Sequence, residues 1–164
     1  MEFEGYVRQR RVALFRFAVV LTGDPVLADE VITDVLGVAY EKWDQVSGAA
    51  NVHAYVRRMV VNEYLGWRRR HARMSVVSDL STLLAPVESS DAARDEREAL
   101  VEELRGLPPK QRAAIVLRFY EGLSDAEIAA VLGCGENAVR SNISRGLARL
   151  RVHLTQDVAK EAVR

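Results

Sequence analysis

A single cysteine, Cys134, stands in a chain of 164 residues. It has no partner within the chain for a disulfide, so nothing calls for an oxidising compartment. Histidine is almost as scarce. His53, His71 and His153 lie far apart and, with one cysteine, give no metal-ligand spacing. No metal, cofactor or catalytic residue is therefore expected. Long apolar runs are missing as well: none approaches the roughly 20 residues that span a bilayer. The opening Met1-Glu2-Phe3-Glu4-Gly5 lacks the basic and then apolar pattern of a secretory leader. The expectation is a cytoplasmic protein with no membrane insertion. Net charge is also absent, since 23 Lys+Arg balance 23 Asp+Glu. That average conceals a pattern: residues 1–78 carry +2, residues 79–103 carry −6 and residues 104–164 carry +4. Two mildly basic blocks flank an acidic segment, and such blocks keep a nucleic-acid partner open where the overall charge would argue against one.

Apolar residues make up 49% of the chain, too many for disorder throughout. They recur at helical spacing, and no alternating strand pattern is evident. A first helix is predicted over about 3–21, with Val7, Leu14, Ala18 and Leu21 on one stripe. Thr22-Gly23-Asp24-Pro25 ends it: glycine suits a left-handed helix end, aspartate caps the next helix and proline fits its first turn. That second helix is predicted to reach Trp43, followed by a polar loop over 44–50. Asn51 can cap a third helix, to about Arg73. From Met74 to Ala93 the periodicity decays, and this reads as a flexible acidic linker. Helices resume at about Asp95, pause at Gly106-Leu107-Pro108-Pro109 and continue to about Glu121. The fold class expected is all-α. Two small helical domains, 1–73 and 95–157, are joined by a linker over 74–94, and the second carries a helix-turn-helix.

Residues 124–151 carry that motif. Ser124-Asp125-Ala126-Glu127 is a capping box that starts a short helix. Ile128, Ala129 and Leu132 face inward, and Ala129 is small where two helices must cross. Gly133-Cys134-Gly135 forms the turn, with Gly133 supplying positive φ and Cys134 reading as a small buried hydrophobe. The last helix, from Glu136 to about Leu154, presents Val139, Ile143 and Leu147 to the core. Arg140, Ser141, Ser144, Arg145 and Arg149 lie on or beside its other face. Such a helix can enter a major groove, with arginines on bases or phosphates. A plain helical hairpin with a solvated basic face is the competing reading.

The segment Asn51–Arg73 interleaves aromatic and basic residues. Tyr55, Arg58, Asn62 and Arg69 fall on one face of a helix, a combination suited to stacking on bases and holding phosphates of single-stranded or distorted DNA. Val56, Val60 and Trp67 form the opposite stripe and read as core. Arg68, Arg69 and Arg70 at the helix end also favour its dipole, and His71 reads as exposed.

These segments together resemble the extracytoplasmic-function (ECF) sigma factors of bacterial RNA polymerase, in particular their compact actinobacterial sigma-E-like subgroup. The residues that carry the resemblance are LTGDPVLADEVITDVL and AYVRRMVVNEYLGWRRR in the first half. In the second they are LRGLPPKQRAAIVLRFYEGLSDAEIAAVLGCGENAVRSNISRGLARLR. The resemblance implies a factor that binds core RNA polymerase, through its clamp helices and flap, and directs it to promoter DNA. It implies that Asp29, Glu30, Thr33 and Asp34 meet the polymerase. It implies that Ser47, Asn51, Tyr55, Arg58, Asn62, Arg68 and Arg69 meet the minus-ten element, the loop over 44–51 capturing a flipped base. Arg140, Ser141, Ser144, Arg145 and Arg149 would read the minus-thirty-five element. Control by an anti-sigma protein is common in the family, and nothing in the sequence identifies one. Departures from the family pattern fall at Thr33, where a glutamine is usual, and at Gly135-Glu136-Asn137-Ala138 and Asn142, so no promoter sequence transfers. Three other readings compete: an operator-binding repressor or activator acting alone, a helical adaptor, and an enzyme on nucleic acid. The last would need a metal-binding carboxylate cluster or an activated nucleophile.

Overall fold

The computed structural model describes the backbone of residues 1–72 and 91–162, and the side chains of residues 1–72 and 98–151. Every regular element among them is helical. The chain divides into two compact units, Met1–Glu88 and Ser89–Arg164. Of the predicted linker at 74–94, residues 74–90 lie outside the described residues.

The first unit holds α1 (Phe3–Thr22), α2 (Pro25–Glu41), α3 (Trp43–Ser47) and α4 (Val52–Arg70). Gly23 ends α1 with φ 70°, and its N–H bonds back to Val19 O. Asp24 then caps α2, its Oδ1 accepting from Val26 N at 3.0 Å and Leu27 N at 3.4 Å. Thr22 Oγ1 accepts from Asp24 N at 3.2 Å, which fixes the corner between the two helices. Leu14, Phe17 and Leu21 of α1 pack with Val31 and Val35 of α2 and Val56, Val60 and Tyr64 of α4 as a buried core. Each such side chain contributes about 1.5–3 kcal/mol by leaving water. Val7, expected on the α1 stripe, is only half-buried, whereas its neighbour Tyr6 is buried.

Two boundaries differ from the sequence reading. Helix α2 stops at Glu41, and the expected loop at 44–50 is mostly the single-turn helix α3. Packing overrides the small polar composition there. Val46 is buried, and the Trp43 ring meets Phe3 and Tyr6 at centroid distances of 5.4 Å each. These two apolar side chains sit three apart and turn the same way only if the backbone coils.

The second unit holds α5 (Asp91–Arg105), α6 (Pro109–Ile115), α7 (Asp125–Leu132) and α8 (Glu136–Ala162). Helix α5 begins ahead of the predicted Asp95, and α8 runs past the predicted Leu154. Helix α6 does not continue as an α-helix to Glu121. It widens into a π-helical turn over Val116–Tyr120, where Glu121 N reaches back five residues to Val116 O at 3.2 Å. Helix α7 opens on the predicted capping box: Glu127 N donates to Ser124 Oγ and Ser124 N to Glu127 Oε1, both at 3.2 Å. Gly133 closes it with φ 66°. Ile128, Ala129 and Val139 are buried as expected, whereas Leu132, Ile143 and Leu147 are half-buried. Helix α8 approaches α6 closely at Gly146, where a Cβ would stand 2.4 Å from Ile115 Cδ1. Cys134 is half-buried, not enclosed as a core residue.

Candidate nucleic-acid interfaces

In the first unit, α4 is anchored by its buried side and presents the other. Val56, Val60, Val61 and Tyr64 are buried, while Arg58, Asn62 and Arg69 are exposed. Tyr55 belongs to the same face and is half-buried, and its hydroxyl accepts from Gln45 Nε2 at 3.3 Å. That bond ties the short helix α3 to the basic-aromatic helix. Gln45 had no signal in the sequence beyond its position in a polar stretch. Arg68 is half-buried and lies off the face formed by Tyr55, Arg58 and Asn62. Arg70, beyond it, pairs with Glu63 at 3.2 Å. Asn51 is committed to capping: its Oδ1 accepts from Ala54 N at 2.9 Å. Its other atoms remain exposed at the mouth of the turn. Ser47 ends α3, half-buried, and its Oγ donates to Asp44 O at 3.4 Å.

Trp67 and His71 depart from the sequence reading. Trp67 is half-buried and stacks on His71, with centroids 4.5 Å apart and planes within 16°. His71 is half-buried too, hydrogen-bonded through Nδ1 to Trp67 O at 3.0 Å. The aromatic ring therefore closes the helix end and does not extend the core stripe.

Behind α4, Tyr6 Oη and His53 Nδ1 share a hydrogen bond of 3.1 Å between α1 and α4. Burial, with the nearby positive charges of Arg57 and Arg10, lowers the His53 pKa to about 4. Burial pushes the Tyr6 hydroxyl up to about 12 against those same two cations. Both groups are neutral across the physiological range.

On α2, Asp29, Glu30, Thr33 and Asp34 are all exposed, on the side opposite the buried Leu27, Val31 and Val35. Val26, Val38 and Tyr40 are exposed on the same helix. The result is a mixed acidic and apolar surface suited to a protein partner.

In the second unit, Arg140, Ser141, Ser144, Arg145 and Arg149 are all exposed. At 100° per residue they cover one half of the α8 circumference, with the small, exposed Ala148 near the middle of that arc. Val139 and Gly146 are buried on the other half, against α6 and α7. The five positions thus form one continuous surface. Arg140 is already engaged within it. Its guanidinium lies 3.4 Å from Asp125 Oδ2 and 3.8 Å from Glu136 Oε2, and it hydrogen-bonds Asn137 Oδ1. Asp125 is in turn paired through Oδ1 with Arg118, whose Nε donates to Leu123 O at 2.9 Å. Sequence reasoning missed Arg118 and Asp125. Arg118 meets Asp125 from within the π-helical turn, which spacing alone does not reveal. Gly146 was also missed, although an isolated glycine within a helical pattern is a legible sign of close packing.

Among the described residues no helix is long and apolar enough to cross a membrane.

Residues 97–150 match the family model described as Sigma-70, region 4. The RNA polymerase sigma-E factor of Streptomyces avermitilis is 38% identical over 154 residues, covering 94% of this chain and 86% of that protein. The ECF RNA polymerase sigma factor SigM of Mycobacterium tuberculosis is 30% identical over 148 residues, covering 90% of this chain and 74% of that protein. In fold, the chain is similar to the sigma factor RpoE of Bartonella quintana, solved in complex with the anti-sigma factor NepR. That likeness has a TM-score of 0.71 at 24% identity and covers 93% of this chain and 96% of the other. With relatives of this identity along nearly its whole length, the chain belongs to the ECF family of RNA polymerase sigma factors.

Proposed function

We propose that this sigma factor divides promoter recognition between its two units and lends each only modest affinity of its own. The exposed carboxylates Asp29, Glu30 and Asp34, with Thr33, meet core RNA polymerase at its clamp helices, and the second unit meets its flap. Tyr55, Arg58, Asn62 and Arg69 on α4, with Arg68 beside them, hold the minus-ten element. Ser47 and Asn51 line the turn that receives a flipped base. Arg140, Ser141, Ser144, Arg145 and Arg149 read the minus-thirty-five element in the major groove.

The observation that carries this reading is the surface of α8. Five polar or cationic side chains occupy its exposed half, on a helix that packs against α7, itself bounded by a capping box and the positive-φ Gly133, and that approaches Ile115 closely at the buried Gly146. Each unit offers few cations to phosphate, so free DNA binding is weak and falls steeply with salt. Polymerase fixes the separation of the two units and converts two weak contacts into one avid one. Strand opening then follows from trapping an extruded base, at a cost of a few kcal/mol for unstacking. The chain supplies no chemistry of its own in this scheme and acts as a regulatory subunit, open to control by an anti-sigma protein.

Run-off transcription with purified Streptomyces core polymerase on a promoter library tests it. A defined subset of templates should yield transcripts only when the chain is present. Failure of the purified chain to associate with core polymerase would overturn the reading.

A further inference from the structure

The junction between α7 and α8 contains a chain of charges that reaches the DNA-facing surface. Arg118 is fixed at both ends, by Leu123 O at 2.9 Å through Nε and by Asp125 Oδ1 through its guanidinium. Asp125 is the first residue of α7, with a side chain 27% exposed, and its second oxygen stands 3.4 Å from Arg140 Nη1. The Arg140 side chain is 55% exposed and also borders Glu136 Oε2 at 3.8 Å and Asn137 Oδ1. Arg145 and Arg149, on the same exposed arc of α8, have no ion pair with a carboxylate among the described residues.

Two consequences follow from charge and geometry. An arginine fork already oriented by a carboxylate loses less side-chain freedom when it meets a base edge. A carboxylate beside a cation also weakens its attraction for phosphate, the sequence-independent part of DNA binding. Both effects act in one direction: they raise the ratio of specific to non-specific binding without raising affinity overall.

We propose that Asp125, anchored by Arg118, is a specificity-determining positioning residue that holds the Arg140 guanidinium for a base edge and reduces its hold on phosphate. This rests on the reading of α8 as the minus-thirty-five reader.

The test uses the full chain reconstituted with Streptomyces core polymerase. A preferred upstream element is first selected from a randomised duplex library with the unaltered protein. Binding to that duplex and to a mixed-sequence duplex is then measured across a range of KCl concentrations. Asp125→Asn should tighten binding to the mixed-sequence duplex severalfold. It should also steepen the slope of log K against log salt by about one, as an added phosphate contact does, and lower the discrimination ratio at least fivefold. Asp125→Ser, which keeps a good helix-starting residue, should behave alike if helical content is unchanged. In an Arg140→Ala background Asp125→Asn should alter neither slope nor ratio. An unchanged ratio in both Asp125 variants, or the same effect with Arg140 removed, overturns the proposal while leaving the α8 reading intact. If the unaltered holoenzyme selects no upstream element, or Arg140→Ala is silent, the α8 reading fails and the proposal falls with it.

Discussion

On α4, the side chains of Arg58 and Asn62 stand in solvent with no ion pair or hydrogen bond to another described residue, whereas on α8 the leading arginine is bracketed by Asp125, Glu136 and Asn137. The two surfaces face different substrates in the proposed scheme. A single strand held by stacking and phosphate contact rewards cations that can adapt. A major groove rewards a fork in one orientation. The mountings differ too. Helix α4 is backed by α1 and α2 through a core of Val56, Val60 and Tyr64, while α8 packs on α6 and α7 with Val139 buried and a close approach to Ile115 at Gly146.

The largest expected effect attacks that mounting. Gly146→Val would drive branched carbons into Ile115 and should destabilise the second unit by about 3 kcal/mol. Urea unfolding would measure the loss, and Ile115→Ala in the same chain should recover part of it. If Gly146→Val is neutral, the two helices are not as closely seated as the geometry indicates. Next, Arg145→Glu should remove minus-thirty-five selection, about 2 kcal/mol of discrimination, while core polymerase still binds. Equal transcription from promoters with and without that element would be the readout. A smaller change is expected on the other surface. Asn62→Ala should slow open-complex formation by about tenfold, near 1.4 kcal/mol, with no change in the affinity for core polymerase. Permanganate footprinting follows it, and if core binding falls instead, α4 faces the polymerase and not the DNA.

The smallest effect concerns pH and the first unit alone. His53 titrates near 4 in the fold and near 6.5 when unfolded. The unfolded chain therefore takes up a proton first as pH falls. Stability from this source is complete above about 6.5 and is lost between 6.5 and 4. For a half-buried ring the loss is on the order of 1 kcal/mol. His53→Gln should flatten that dependence in thermal melts.

Much of this was legible from residue order. The corner at Thr22-Gly23-Asp24-Pro25 and the capping box at Ser124 were readable because short-range hydrogen bonding dictates them. The exposed faces of α2, α4 and α8 follow from periodicity. What escaped depends on tertiary contact. Tyr6 takes the buried place expected of Val7, and Trp43 and Val46 coil a stretch whose composition reads as loop. Trp67 meets His71 and not the core. The engagement of Arg140 was invisible because its partner lies fifteen residues back, across a turn.

The widened turn at Val116–Tyr120 sets the direction of the side chains that close its helix, Arg118 among them. Removing one residue there would restore ordinary α-helical winding and swing the side chains that follow within that helical turn by about 100°. Arg118 would then lose the carbonyl of Leu123 and the carboxylate of Asp125 together. In the proposed scheme a single-residue deletion in that turn would be felt as a change in which sequences are accepted.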